Sequence, residues 1–322
     1  VSREPAGTRP RGALPPHSAH PAAPLTRSWT PNRPVDLAAL FGPLRRGSGD
    51  PCLRTLGDAY WWATNTDEGP GTLALRQRRG TVLATAWGPG AAQLVEGLPA
   101  LCGAGDDDGG FVAHHPVVAL ARRTLPGLRL CATGRVWDVL LAAVLEQKVT
   151  STEAWRSWRE LARRFGGRAP GPDGVDLRVP PGPARLRSIT DWQWHQCGVD
   201  GARRRTLLAV AGVASRLERA VALGGEEGRA LLRMVPGVGE WTAAEVAQRA
   251  WGDPDAVSVG DYHLSHTVGW ALLGRRVDDE GMLALLAPYA GQRHRAVRYL
   301  TAVASRAPRR GPRLSPRDYR AC

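Results

Sequence analysis

A Pro-Gly-Val-Gly turn set between two helical patterns constrains this chain more than any other feature. The stretch runs Leu231-Leu232-Arg233-Met234-Val235-Pro236-Gly237-Val238-Gly239-Glu240-Trp241-Thr242-Ala243. It predicts a tight hairpin. Gly237 and Gly239 carry no side chain, so their backbone N–H groups can point outward at the N-terminus of the next helix, where a phosphate diester binds without any base being read. Further on, Ser258-Val259-Gly260-Asp261-Tyr262 puts a carboxylate directly after a glycine, where another helix can begin. A backbone anchor with one unescorted carboxylate suits an enzyme that holds DNA and breaks a glycosidic bond.

Charge points the same way once it is apportioned. The 322 residues carry a net charge of +13 and have a pI near 10.7, which favours a polyanionic partner. Residues 1–30 hold +3 of that and residues 307–322 hold +4, leaving +6 on the body. Both ends are rich in Pro, Arg and small residues, so they read as disordered basic tails. No segment has the basic amphipathic pattern that a membrane surface needs, and none reads as a signal peptide or a spanning helix. Cysteines 52, 102, 131, 197 and 322 lack metal-ligand spacing, which excludes a zinc or iron–sulfur site and suits a reducing cytoplasm.

Length allows two domains. Residues 31–115 read as a small antiparallel sheet with a helix or two. Its strands lie at Ala59–Thr64, Thr72–Gln77 and Thr81–Trp87, with turns at Gly69-Pro70-Gly71 and Arg78-Arg79-Gly80. Asp106-Asp107-Asp108-Gly109-Gly110 reads as a solvated boundary loop in preference to a metal site. Residues 116–306 read as helical. Val136, Val139, Leu140, Ala143 and Val144 form an apolar stripe that stops near Gln147. Thr150 and Glu153 form a capping box for the next helix, whose core face includes Trp155, Trp158, Leu161 and Phe165. Residues 167–184 read as a surface loop. Helices are expected at 185–197, 203–222, 226–234, 240–250, 261–273, 279–288 and 292–305, with the hairpin spanning about 226–250. The predicted class is α+β, mostly α.

At these residues the chain resembles the helix-hairpin-helix DNA glycosylases, and within that superfamily the 3-methyladenine DNA glycosylase II group. The superfamily's hairpin, hydrophobic-Pro-Gly-hydrophobic-Gly, is matched by Val235 to Gly239. Its catalytic aspartate falls on Asp261, and Leu145-Glu146-Gln147-Lys148-Val149-Thr150 matches the segment that enters the DNA stack. The resemblance covers about residues 31–305. It implies a monomeric, monofunctional glycosylase of base excision repair, cytoplasmic and nucleoid-associated in a bacterial-type cell. Its partner would be double-stranded DNA with damaged bases, alkylated purines of the 3-methyladenine type first among them. Bifunctional members form a Schiff base through a lysine just after the hairpin. Trp241 stands there, and Lys148 is the one lysine against 42 arginines, whose guanidinium cannot replace an amine nucleophile. Lyase chemistry is therefore not expected. No cofactor is implied beyond a structural Na+ or K+ held by the backbone carbonyls of Arg233, Val235 and Val238. Two rivals stand beside this: a glycosylase for deaminated or oxidised bases, and a non-enzymatic damage-sensing module, against which Asp261 argues.

Each site residue also has an ordinary structural role to set against its functional one. Asp261 can be catalytic, a helix N-cap, or both. Trp241 is a pocket wall able to stack on a cationic purine, or a core aromatic. Glu245, one turn on, either faces the pocket or forms a surface pair with Arg249. Tyr262 is assigned to the pocket with them. Gln147 and Lys148 both qualify to plug the gap left by a flipped nucleotide. Gly237, Val238, Gly239 and Thr242 complete the DNA-binding set. His263 and His266 share a helix face, but core or surface histidines explain them without a metal.

Overall fold

The computed structural model describes residues 23–303 and residue 318. Five antiparallel strands open the fold: β1 (Leu25–Trp29), β2 (Leu53–Leu56), β3 (Ala59–Thr66), β4 (Gly69–Arg78) and β5 (Thr81–Trp87), in the order β1-β5-β4-β3-β2. Alternation sends Trp62, Leu73, Leu75, Val82 and Ala84 to one face. There they pack on α1 (Leu37–Phe41), α2 (Ala91–Glu96) and α3 (Leu98–Leu101). Trp61, Ala63 and Ala74 fill the opposite face against Ala169, Leu177 and Val179. Residues 167–184, read as a surface loop, are exposed at 171–174 but are anchored on the sheet through Ala169, Leu177 and Val179, a packing role that the Pro/Gly content hid.

Thirteen helices follow among the described residues: α4 (Pro116–Thr124), α5 (Trp137–Leu145), α6 (Ser151–Phe165), α7 (Pro183–Arg187), α8 (Asp191–Gln196), α9 (Gly201–Gly212), α10 (Ala214–Leu217), α11 (Ala220–Leu223), α12 (Gly225–Arg233), α13 (Glu240–Ala250), α14 (Leu264–Leu273), α15 (Asp279–Leu286) and α16 (Arg293–Val303). They form two cores. One is centred on α5, which is buried along its whole length, with α6, α9, α12 and α13 around it. The other joins α4 to α14, α15 and α16. The Thr150–Glu153 capping box starts α6 as read from sequence. Trp155 is only half-buried on that helix, packing beside Gly47.

Four further sequence expectations need correction. Residues 25–29, assigned to the tail, are strand β1, paired along its length with β5; the rest of the tail assignment, apart from residues 23–24, 30 and 318, lies outside the described residues. The β3–β4 turn falls on Asp67–Glu68, and Gly69-Pro70-Gly71 belongs to β4. A Cβ on Gly71 would meet Leu94 Cδ1 at 2.5 Å, so this glycine lets α2 lie close on the sheet. The segments 185–197 and 203–222 are broken helices. Thr190 and Gln193 open a second capping box inside the first, and in the second Glu218 turns inward to accept from Val136 N and Trp137 N at the start of α5. The Asp106 carboxylate, finally, is enclosed rather than solvated. It pairs with the fully buried Arg295 of α16 and with Arg33 at 3.1 Å, and accepts from Leu130 N. No group of His, Cys, Asp or Glu among the described residues is arranged to hold a metal.

Candidate active site

The hairpin is built by alternate burial. Val235 and Val238 are sunk in the α5-centred core, while Pro236, Gly237 and Gly239 stay exposed. Val238 N–H closes the turn on Val235 C=O at 3.0 Å. Gly237 has φ +88°, and a Cβ there would lie 2.1 Å from Thr206 Oγ1 of α9. Backbone conformation and packing thus both require glycine. Among the described residues no group accepts from the N–H of Gly237 or Gly239, so two donors stand free at the N-terminus of α13. Val238 contributes an apolar anchor and not an outward contact.

Gln147 and Lys148 occupy the α5–α6 junction, but they are used differently. Gln147 Nε2 donates to Gly237 C=O at 2.9 Å and to Thr242 Oγ1 at 2.8 Å. Thr242, read from sequence as a DNA contact, is instead buried and holds Gln147. Lys148 is exposed in the left-handed region at φ +53°. The junction is further fastened by Arg203, which donates to Leu145 C=O at 2.8 Å, and by Glu146, paired with Arg46 at 3.3 Å. Gln147 is therefore committed to the protein, and Lys148 is the side chain left to project. Sequence reasoning missed Arg203, whose i,i+3 pairing with Asp200 carries no sign of its reach to α5.

Asp261 lies where the two helical cores meet. Its Oδ1 accepts from His263 N at 2.8 Å and Leu264 N at 2.9 Å, capping the turn into α14, and its Oδ2 accepts from Trp241 Nε1 at 3.2 Å. Capping and a poised carboxylate coexist, since three fixed donors hold the group and it remains half-buried. Such a carboxylate can stabilise positive charge developing on a sugar carbon. Tyr262 is 76% exposed, leaning on His263, so in this state it stands outside the site. His266 Nδ1 faces Val277 C=O at 3.0 Å.

Glu245 does pair with Arg249, at 2.8 Å, but the pair is interior and not superficial: the two side chains are 13% and 14% exposed. Glu245 Oε1 also accepts from Ser258 Oγ at 2.5 Å, Gln248 donates to Ser258, and Arg249 Nε donates to Pro43 C=O. Burial works against the charge of Arg249, but Glu245 and Glu146 overcome it and hold its pKa above the usual value. Trp241, Glu245 and Arg249 form the half-buried stripe of a helix whose positions 242–244 and 246–248 are buried. That stripe runs away from Asp261. For the cation expected at the hairpin, the carbonyls of Arg233 and Val238 accept no hydrogen bond among the described residues, and that of Val235 accepts one. All three keep lone pairs, so the neutral oxygen set fits Na+ or K+.

No family model matches the chain. It is 31% identical over 143 residues to the "Probable bifunctional transcriptional activator/DNA repair enzyme AlkA" of Mycobacterium tuberculosis, a match spanning 43% of this chain and 28% of that one. The chain thus spans less than a third of that relative's length. Among solved structures it is similar to the 3-methyladenine DNA glycosylase of Archaeoglobus fulgidus, with TM-score 0.70, 14% identity, and coverage of 86% of this chain and 97% of that one. The 8-oxoguanine glycosylase/lyase of Clostridium acetobutylicum gives TM-score 0.66 and 13% identity, covering 84% and 93%. The fold is shared with these two DNA glycosylases, and that agrees with the resemblance read from the hairpin and its spaced aspartate.

Proposed function

We propose that the protein is a monofunctional DNA glycosylase that flips damaged purines from duplex DNA and hydrolyses their N-glycosidic bond, leaving an abasic site. The observation that carries this is the Trp241–Asp261 hydrogen bond at the exit of the hairpin. It joins a free backbone phosphate anchor to a carboxylate and fills the lyase position with an indole. In this reading Gly237 and Gly239 N–H hold a phosphate, and Lys148 fills the gap opened by the flipped nucleotide. Flipping itself costs about a few kcal/mol, least for a weakened pair. Asp261 then stabilises the oxocarbenium-like sugar and orients water. Its substrates are alkylated purines of the 3-methyladenine type. A cationic base leaves without protonation, so one carboxylate suffices, and the Trp241 face offers it a stacking surface. Na+ or K+ on the carbonyls of Arg233, Val235 and Val238 would add positive charge beside the phosphate. The protein acts as a monomer in the cytoplasm, on nucleoid DNA.

Borohydride treatment during turnover tests the monofunctional assignment. No covalent enzyme–DNA adduct is expected; any adduct would overturn it, and persistence in Lys148→Arg would put the amine elsewhere than Lys148.

A further inference from the structure

Where the sheet domain meets both helical cores there is a small recess of about 30 Å³. It is walled by Ala39, Leu40 and Pro43 around α1, by Arg129 to Cys131, by Gln248 and Arg249 of α13, and by His294 and Arg298 of α16. Three guanidiniums line it, and no carboxylate does. Arg249 is neutralised by Glu245. The other two have no ion-pair partner among the described residues. Arg129 is 1% exposed and spends its donors on the carbonyls of Pro34, Gly103 and Arg33 and on Asn32. Arg298 donates through Nη2 to Ala39 C=O at 2.9 Å, but its buried Nε has no acceptor. His294 is 6% exposed, and burial together with Arg298, Arg249 and Arg295 pushes its pKa well below the ordinary value, so it stays neutral and adds no further positive charge.

Two enclosed guanidiniums without a direct ion-pair partner among the described residues carry a desolvation cost that carbonyl acceptors and the more distant Asp106 and Asp108 offset only in part. A buried N–H with no acceptor adds to that cost. Both are relieved by one small anion. We propose that this recess is a binding site for a monovalent anion of chloride size, held by Arg298 Nε with Arg129 and Arg249 around it. The volume admits one monatomic ion or a water or two, since one water needs roughly 10–15 Å³ measured this way, and it is too small for phosphate. The ion would tie the α1 segment to α13 and α16, independently of any catalytic role for Asp261.

Thermal unfolding of the full chain in sodium chloride or bromide, against sodium gluconate at matched ionic strength, tests this. Halide should raise the midpoint saturably by about 2–4 °C, and Arg298→Met should abolish the difference. An equal halide shift in Arg298→Met, or no shift in the wild type, would overturn the proposal. If Arg298→Met does not fold, wild-type crystals grown in bromide decide it. An anomalous peak beside Arg298 Nε supports the site, and water alone there overturns it.

Discussion

Asp261 is held by three donors from two elements, and each has a separate consequence. The two backbone donors fix its orientation; the Trp241 indole N–H fixes the oxygen left for chemistry. Trp241→Phe keeps an aromatic wall and removes that hydrogen bond. Single-turnover excision should slow about tenfold, the equivalent of one hydrogen bond of roughly 1.4 kcal/mol, with affinity for abasic duplex nearly unchanged. An unaltered rate would show that the indole N–H does not position the carboxylate. The capping role of Asp261 was legible in the sequence, because a carboxylate just ahead of a helical pattern is an ordinary N-cap, and the structure has it accepting from His263 N and Leu264 N. Its contact with Trp241 was not, since it depends on how two helical cores meet. Glu245 shows the same limit. Pairing with Arg249 follows from helical spacing, whereas its burial depends on Ser258 and on Pro43, distant in sequence.

The hairpin was the most legible element, and it separates stability from binding. Gly237→Ala must strain a positive φ and drive a methyl into Thr206. It should cost about 2 kcal/mol or more, read as a lowered denaturation midpoint. Gly239 has φ −92° and open space where a Cβ would go. Gly239→Ala should keep its midpoint yet weaken duplex binding, because the methyl stands where a phosphate approaches. Equal stability loss in both variants, or unimpaired binding by Gly239→Ala, would contradict the anchor. Helix starts with side-chain caps were also legible, as at Thr150. Breaks such as that near Glu218 were not, because the carboxylate leaves its own helix to cap α5. Local periodicity cannot register a demand made by another helix.

Across the molecule, the acidic run at 106–108 joins the lobes. Asp106 holds Arg33, Leu130 N and the buried Arg295 together. Composition marked it as a linker, since a run of Asp and Gly is normally solvated, and only the fold brings arginines to it. Asp106→Ala leaves Arg295 buried without its counter-charge and should cost about 3–5 kcal/mol in urea unfolding. A loss below about 1 kcal/mol, the range of an exposed pair, would show that Asp106 is not a buried clamp. The central claim, that this scaffold presents Asp261 to a flipped damaged base, has a direct measurement. Wild type and Asp261→Asn are incubated with duplexes each bearing one defined lesion, then treated with hot alkali to cleave at abasic sites. Wild type should yield strand breaks on a 3-methyladenine or 7-methylguanine duplex only after alkali. Asp261→Asn should be slower by about a thousandfold or more while still binding the duplex. Near-wild-type cleavage by Asp261→Asn, or no alkali-labile site from wild type on any lesion, would contradict the account.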